Sequence, residues 1–515
     1  VRRTPRTRRV ASLAGGLVAV LALAACSATS PASSAPPPSA TPQAGSTTAP
    51  TVSLQRFYDQ KPSWKACGGG FFCATVQVPL DYQQPDAGTV GLSVIKLPAR
   101  DQAHRLGSLL INPGGPGGSG VDYARAADRA FTSTLLNAYD IVGFDPRGVA
   151  SSDPVKCLSD KALDTFIAID GSPDTPAEEQ ALVAVSKGFA QGCEQRSGRL
   201  LPYVGTVDAA RDMDIIRAVV GDAKLNYFGA SYGTFLGATY AEEFPTKVGK
   251  MVLDGAIDPA IDAVELGKGQ AEGFQLALDD FLKDCFTHSD CPVGPDEATA
   301  QQQIVDLLAR ADKTPLAGSR PVTQSLALLG IVFAMYAPEQ GWPVLRQALA
   351  RALQGDGSIL LQLADLYTDR SSDGHYTSNQ NEVIYAVNCV DRADHSTLDQ
   401  IRGNATDWAK ISPVFGAYLA WSNLPCTMWP VPATGQAGPI HAAGAPPILV
   451  VGTTRDPATP YAWAEALAAE LDSGRLLTYE GDGHTAYNRG SQCIDSAVDG
   501  YLTKGTLPAA GTRCT

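Results

Sequence analysis

Ser231 stands at the centre of Gly229-Ala230-Ser231-Tyr232-Gly233, between a short β-like run, Lys224 to Phe228, and a stretch of helical spacing, Thr234 to Phe244, closed by Pro245. Strand, sharp turn and helix around a serine is the form of a nucleophile elbow, in which a strained turn lifts the hydroxyl clear of the backbone. The flanking glycines fit because residues two before and two after the serine pass close to neighbouring backbone, where a Cβ would clash. A serine hydroxyl is a poor nucleophile near neutral pH. It needs a base, and the base needs an acid to fix its tautomer and stabilise the imidazolium. Both follow in the order this layout demands. Asp456 lies in Gly452-Thr453-Thr454-Arg455-Asp456-Pro457, just past the apolar run Ile448 to Val451. His484 lies in Glu480-Gly481-Asp482-Gly483-His484, just past Arg475 to Tyr479. Asp254 and Asp258 compete for the acid position after the preceding strand. Asp482 is too near His484 in the chain to orient it. An aspartate in a loop is otherwise a turn or cap residue.

Acyl transfer also needs donors aimed at the developing oxyanion. The backbone N–H of Tyr232, directly after the nucleophile, is one. The other falls in Asn112-Pro113-Gly114-Gly115-Pro116-Gly117-Gly118-Ser119-Gly120, after the run Ser108 to Ile111, with Gly115 or Gly114 as the donor. A plain tight turn or a phosphate cradle are the other readings of such a loop. The P-loop form is excluded because no Lys-Ser or Lys-Thr follows. No C-x-x-C occurs and the six His are scattered, so neither a metal nor a cofactor is expected.

These residues must be positioned by alternating strands and helices, the signature of a mostly parallel α/β sheet. Tyr139 to Phe144 and Met251 to Asp254 supply further strands. The rhythm stops between Ala260 and Ala443, where helical stretches such as Ala271 to Asp284 and Ser325 to Leu353 dominate. The expected architecture is an α/β-hydrolase fold: core from 56 to 259, a large helical cap from 260 to 443 inserted between late strands, and core again from 444 to 515.

The first 55 residues stand apart. Five arginines precede an uncharged apolar stretch, Val10 to Ala25, which is short for a membrane span and reads as a signal peptide over 1–25. It ends Leu23-Ala24-Ala25-Cys26, which resembles a bacterial lipobox and implies lipidation of Cys26; an ordinary cleaved leader is the alternative. Residues 26–55 are rich in Ser, Pro, Ala and Thr and read as a flexible tether. With Cys26 set aside, ten of the 11 Cys remain, an even number that suits disulfides in an exported chain. Sequential pairing would give 67–73, 157–193, 285–291, 389–426 and 493–514, although connectivity does not follow from the count. A formal net charge of −13 argues against nucleic acid as a partner. Contact with a membrane is expected through the lipid anchor alone.

Pro113-Gly114-Gly115-Pro116-Gly117-Gly118 is similar to the His-Gly-Gly-Pro-Gly-Gly loop of prolyl aminopeptidases. Phe144-Asp145-Pro146-Arg147-Gly148-Val149-Ala150-Ser151-Ser152 resembles their Asp-Gln-Arg-Gly-x-Gly-x-Ser stretch. Pro113 in place of His and Pro146 in place of Gln are the departures of the secreted tripeptidyl aminopeptidase branch of actinobacteria, to which mycobacterial cell-envelope serine hydrolases also belong. The resemblance spans roughly Ser53 to Thr515. It implies an exopeptidase acting on peptides and proteins with free N-termini, and a C-terminal segment like that of tripeptidyl aminopeptidases. It also implies cap acids that bind the substrate ammonium, for which Glu382 and Asp391 are the residues available. The competing reading is that both acids only brace the fold, Asp391 lying two residues after Cys389. A carboxylesterase or lipase on the same triad is the alternative enzyme. A binding lipoprotein without catalysis is the alternative outside enzymes.

Overall fold

The structure is a computed structural model that describes residues 47–515. The leader, Cys26 and residues 26–46 of the tether lie outside the described residues. The rest of that tether departs from expectation. Val52–Leu54 forms a 3₁₀ turn and Gln55–Tyr58 a helix. Leu54, Phe57 and Tyr58 are buried, and the Tyr58 hydroxyl donates to Asp214 at 2.7 Å. Three apolar side chains in five positions give this segment a reason to fold that its Ser/Pro-rich beginning lacks.

Ten strands form one sheet: β1 (Lys65–Ala66), β2 (Phe72–Pro79), β3 (Thr89–Leu97), β4 (Gly107–Asn112), β5 (Tyr139–Phe144), β6 (Leu225–Ala230), β7 (Val248–Asp254), β8 (Ile448–Arg455), β9 (Gly474–Asp482) and β10 (Arg513–Cys514). Their order is β1-β2-β3-β5-β4-β6-β7-β8-β9-β10. Pairing is antiparallel from β1 through the β3–β5 contact and parallel from β5 to β10. Successive side chains of the central strands pack on opposite faces. Leu110, Val142, Tyr227 and Leu253 meet helices Thr206–Val219 and Tyr232–Glu243 on one face. Leu109, Ile141, Phe228 and Val252 meet helix Gln492–Lys504 on the other. Both faces are covered, which is why these strands read as continuous apolar runs.

Between β7 and β8 the chain is built of helices, from Ala263–Cys285 to Leu424–Thr427, around an apolar cluster of its own. The expected stretch Ser325 to Leu353 is two helices, Gln324–Met335 and Pro338–Ala352, because Pro338 starts a helix more readily than it continues one. The roof also has a second source. Helices Asp160–Ala168 and Pro176–Ser197, which the sequence reading assigned to the core, pack against the large insertion. Arg370 pairs with Asp164, Arg402 with Glu179, and Leu182 packs with Ile401, Trp421 and Leu424. All five sequential disulfides are present: Cys67–Cys73, Cys157–Cys193, Cys285–Cys291, Cys389–Cys426 and Cys493–Cys514.

Candidate active site

Ser231 is the junction between β6 and helix Tyr232–Glu243, with φ 57° and ψ −127°. A non-glycine residue in this region costs on the order of 1–3 kcal/mol, so the surroundings must hold it there. They do so from both sides. The Ser231 N–H donates to the Asp254 carbonyl at 2.9 Å, and the Ser231 carbonyl accepts from the Thr234 N–H and hydroxyl at 2.8 and 2.6 Å. A Cβ on Gly229 would lie 2.2 Å from the Gly233 carbonyl oxygen, so the elbow closes only with glycine there.

His484 follows β9. Its N–H donates to the Tyr336 carbonyl at 3.0 Å, and its ring stands edge-on to the Tyr336 ring at 5.3 Å. Nδ1 lies 2.9 and 3.0 Å from the two carboxylate oxygens of Asp456, which follows β8. Asp456 is buried and also accepts the N–H groups of Ala458, Thr459 and Thr485 at 2.9, 2.9 and 3.2 Å. A carboxylate held by three backbone donors keeps the proton of His484 on Nδ1 and leaves Nε2 as the acceptor. The competing acids are engaged elsewhere. Asp254 takes the N–H groups of Ala486 and Tyr487, bracing the histidine loop from behind. Asp258 accepts from the Ala260 N–H, and Asp482 pairs with Arg455.

The glycine-rich loop after β4 presses on the elbow. A Cβ on Gly114, whose φ is +97°, would sit 2.6 Å from the Ala230 carbonyl oxygen and 2.7 Å from the Ser231 Cβ. The Gly114 N–H is already spent on Asn112 Oδ1 at 2.9 Å, so its expected role as oxyanion donor is corrected to one of close approach. The Gly115 N–H has no acceptor among the described residues, and that of Tyr232 opens its helix without an intrahelical partner. The Tyr232 side chain is fixed from a distance: its hydroxyl lies 2.5 Å from Thr206 Oγ1, which donates in turn to Asp391 at 2.5 Å.

Ser231, Gly114, Gly115 and His484 line one cavity of about 540 Å³ beneath the roof. Its walls include Phe166, Ile169, Leu182, Phe274, Tyr336 and Tyr418, and among the described residues no Asp, Glu, Lys or Arg lines it. The assignment of Glu382 and Asp391 to substrate binding is therefore corrected. Both lie on helix Gln380–Asp391, whose cavity face is Gln380, Asn381, Ile384, Tyr385 and Asn388. Glu382 instead accepts the N–H groups of Cys157 and Leu158 at 2.6 and 2.7 Å. Asp391 accepts from the N–H and hydroxyl of Thr206. Each buried acid satisfies donors of a neighbouring segment, which is the bracing role. Burial pushes Asp391 up to about 6 and raises Glu382. The sequence held no signal for the Tyr336 brace or the Thr206 link, because each joins segments far apart in the chain.

Among the proteins similar to this chain are three that align with most of it. Serine protease Hip1 of Mycobacterium tuberculosis is 39% identical over 465 residues, covering 87% of this chain and 88% of its own. Carboxylesterase B of the same organism is 39% identical over 455 residues, covering 86% of each. Tripeptidyl aminopeptidase of Streptomyces lividans is 33% identical over 453 residues, covering 86% of this chain and 83% of its own. The family model described as TAP-like protein matches residues 412–514. The chain belongs to the TAP-like branch of the α/β-hydrolases. As a TAP-like hydrolase it shares its family with proteins named for peptide and for ester cleavage. The five disulfides of this TAP-like chain fit an oxidising, extracytoplasmic compartment. Among the described residues no helix is long and apolar enough to cross a membrane.

Proposed function

We propose that the protein is a serine exopeptidase that releases short peptides, tripeptides foremost, from free N-termini. The observation that carries the reading is the Asp456–His484 pair opening into the same roofed cavity as the strained Ser231. Ser231 Oγ attacks the scissile carbonyl while its proton passes to His484 Nε2, and Asp456 stabilises the imidazolium. The oxyanion is received by the N–H groups of Tyr232 and Gly115. His484 then returns the proton to the leaving amine, and water hydrolyses the acyl-enzyme by the same route. A cavity of about 540 Å³ supports a short acyl group, since a tripeptide extends only about 10 Å. The tripeptidyl aminopeptidase and serine protease relatives support a peptide bond as the target.

Ser231→Ala should abolish labelling by a fluorophosphonate and lower turnover on the order of 10⁴-fold or more. Undiminished labelling sinks the assignment. The second reading, a carboxylesterase, is favoured by a lining that is mostly apolar and, among the described residues, without Asp, Glu, Lys or Arg, and by the carboxylesterase B relative. It takes over if p-nitrophenyl butyrate is cleaved while tripeptidyl p-nitroanilides are not.

A further inference from the structure

Among the described residues every hydrogen bond of the His484 ring is made at Nδ1, to Asp456 and, at 3.3 Å, to the Thr459 hydroxyl. An imidazole gripped at Nδ1 alone can still swing about that grip, and the swing carries Nε2, the atom that takes the Ser231 proton. What stands against the swing comes from the roof. The Tyr336 ring lies across the His484 ring at 88°, with centroids 5.3 Å apart, and is itself backed by Phe274 at 6.0 Å and Tyr367 at 5.9 Å. Tyr336 and His484 both line the cavity. The local sequence explains why Tyr336 is available. Helix Gln324–Met335 stops short of it, and Ala337, ahead of Pro338, leaves the helical region with φ −139° and ψ 86°. The Gln340 N–H, which would take the Tyr336 carbonyl in a continuous helix, donates to the Ala337 carbonyl instead at 3.2 Å. The freed Tyr336 carbonyl accepts the His484 N–H at 3.0 Å. Across the same seam a Cβ on Gly483, whose φ is +95°, would sit 2.7 Å from Pro338 Cδ, so the two segments meet only with glycine there.

We infer that Tyr336 is a positioning residue for the base, so that the roof supplies part of the catalytic machinery as well as a cover for the substrate. This rests on the Ser231–His484–Asp456 mechanism but not on which bond is cleaved. The Tyr336 carbonyl fixes the main chain of His484 and the Tyr336 ring fixes its imidazole, so both ends of the base are set from one residue of the roof. A perpendicular aromatic pair is favourable beyond the area it buries, which gives the arrangement a preferred geometry and not contact alone. Aim matters here because a reacting group displaced by about 1 Å loses much of its rate. Loss of the ring would leave the Asp456–His484 pair in place and still slow the transfer of the Ser231 proton.

The test is the second-order rate of inactivation by diisopropyl fluorophosphate. This reagent is small, so it needs the base but little of the cavity, and its rate reports the aim of His484. Tyr336→Leu should lower that rate, and kcat for a tripeptidyl p-nitroanilide, about ten-fold each. Tyr336→Phe, which restores the ring, should recover both to within about two-fold of the wild type. Tyr336→Met, which fills similar space without a ring, is read in the same way where the Leu variant does not fold. An inactivation rate within about two-fold of the wild type in the ringless variant, with only KM raised, makes Tyr336 a wall of the cavity and overturns the inference. A loss in the Phe variant equal to that in the ringless one overturns it too, because the hydroxyl and not the ring would then be at work. A wild-type protein that the reagent does not inactivate overturns the Ser231 mechanism itself, and this inference with it.

Discussion

Gly114 is where the substrate-facing loop and the nucleophile come closest. The space a Cβ would need is filled by the Ala230 carbonyl and by Ser231 itself, and the positive φ adds strain for any side chain. Gly114→Ala must therefore push the loop away from the elbow, carrying the Gly115 N–H out of reach of the oxyanion. We expect kcat to fall on the order of 10²-fold, the loss seen when one oxyanion donor is removed, with the fold retained. Unchanged kcat in a variant with a wild-type melting temperature would show that the loop does not contribute a donor. At this scale the sequence was informative because the chemistry is local. An elbow is five consecutive residues, and Asp456 and His484 each follow a recognisable strand. The donor within the loop was less legible, since nothing in Gly114-Gly115 says which N–H Asn112 has already taken.

Three helices meet in the link from Asp391 through Thr206 to Tyr232. Asp391 ends helix Gln380–Asp391, Thr206 begins Thr206–Val219, and Tyr232 begins the helix after the nucleophile. The roof is thereby tied to Tyr232, whose N–H is the proposed oxyanion donor. Asn in place of Asp391 offers one acceptor oxygen where Thr206 uses two. Asp391→Asn is expected to lower kcat about ten-fold, with KM and the preference for free over acetylated substrates little changed. A clamp for ammonium would show the reverse, a rise in KM and a lost preference. The error over Glu382 and Asp391 also belongs to this scale. Composition says that a helix carries acids, but only its rotation about its own axis says where they point, and that is set by apolar contacts made far away in sequence. The antiparallel strands β2 and β3 escaped notice for a related reason, since their pairing faces no crossover helix of its own. The Asp160–Ala168 and Pro176–Ser197 helices pass for ordinary crossover helices until their partners in the insertion are known.

Across the whole molecule, burial raises several carboxyl groups together. Asp170, Asp208, Asp254 and Asp391 are all pushed up to about 6 by desolvation. A carboxyl raised on folding binds its proton more tightly in the folded than in the unfolded chain. Its contribution is fully present below the ordinary value of 3.8 and is lost as pH rises through about 6. The net charge of −13 acts in the same direction, because deprotonation adds to self-repulsion. The melting temperature should therefore be higher at pH 5 than at pH 7.5, by a few degrees; calorimetry showing a flat or rising trend would contradict it. The interleaving of core and roof has one more consequence, which concerns biogenesis. In chain order, part of the roof, helices Asp160–Ala168 and Pro176–Ser197, precedes the elbow strand, the rest of the roof follows it, and β8 and β9 with Asp456 and His484 come last. Until those last strands slot in beside β7, Ser231 has neither proton acceptor nor a completed sheet. An incomplete chain that ends before β8 would therefore carry the elbow without Asp456 and His484.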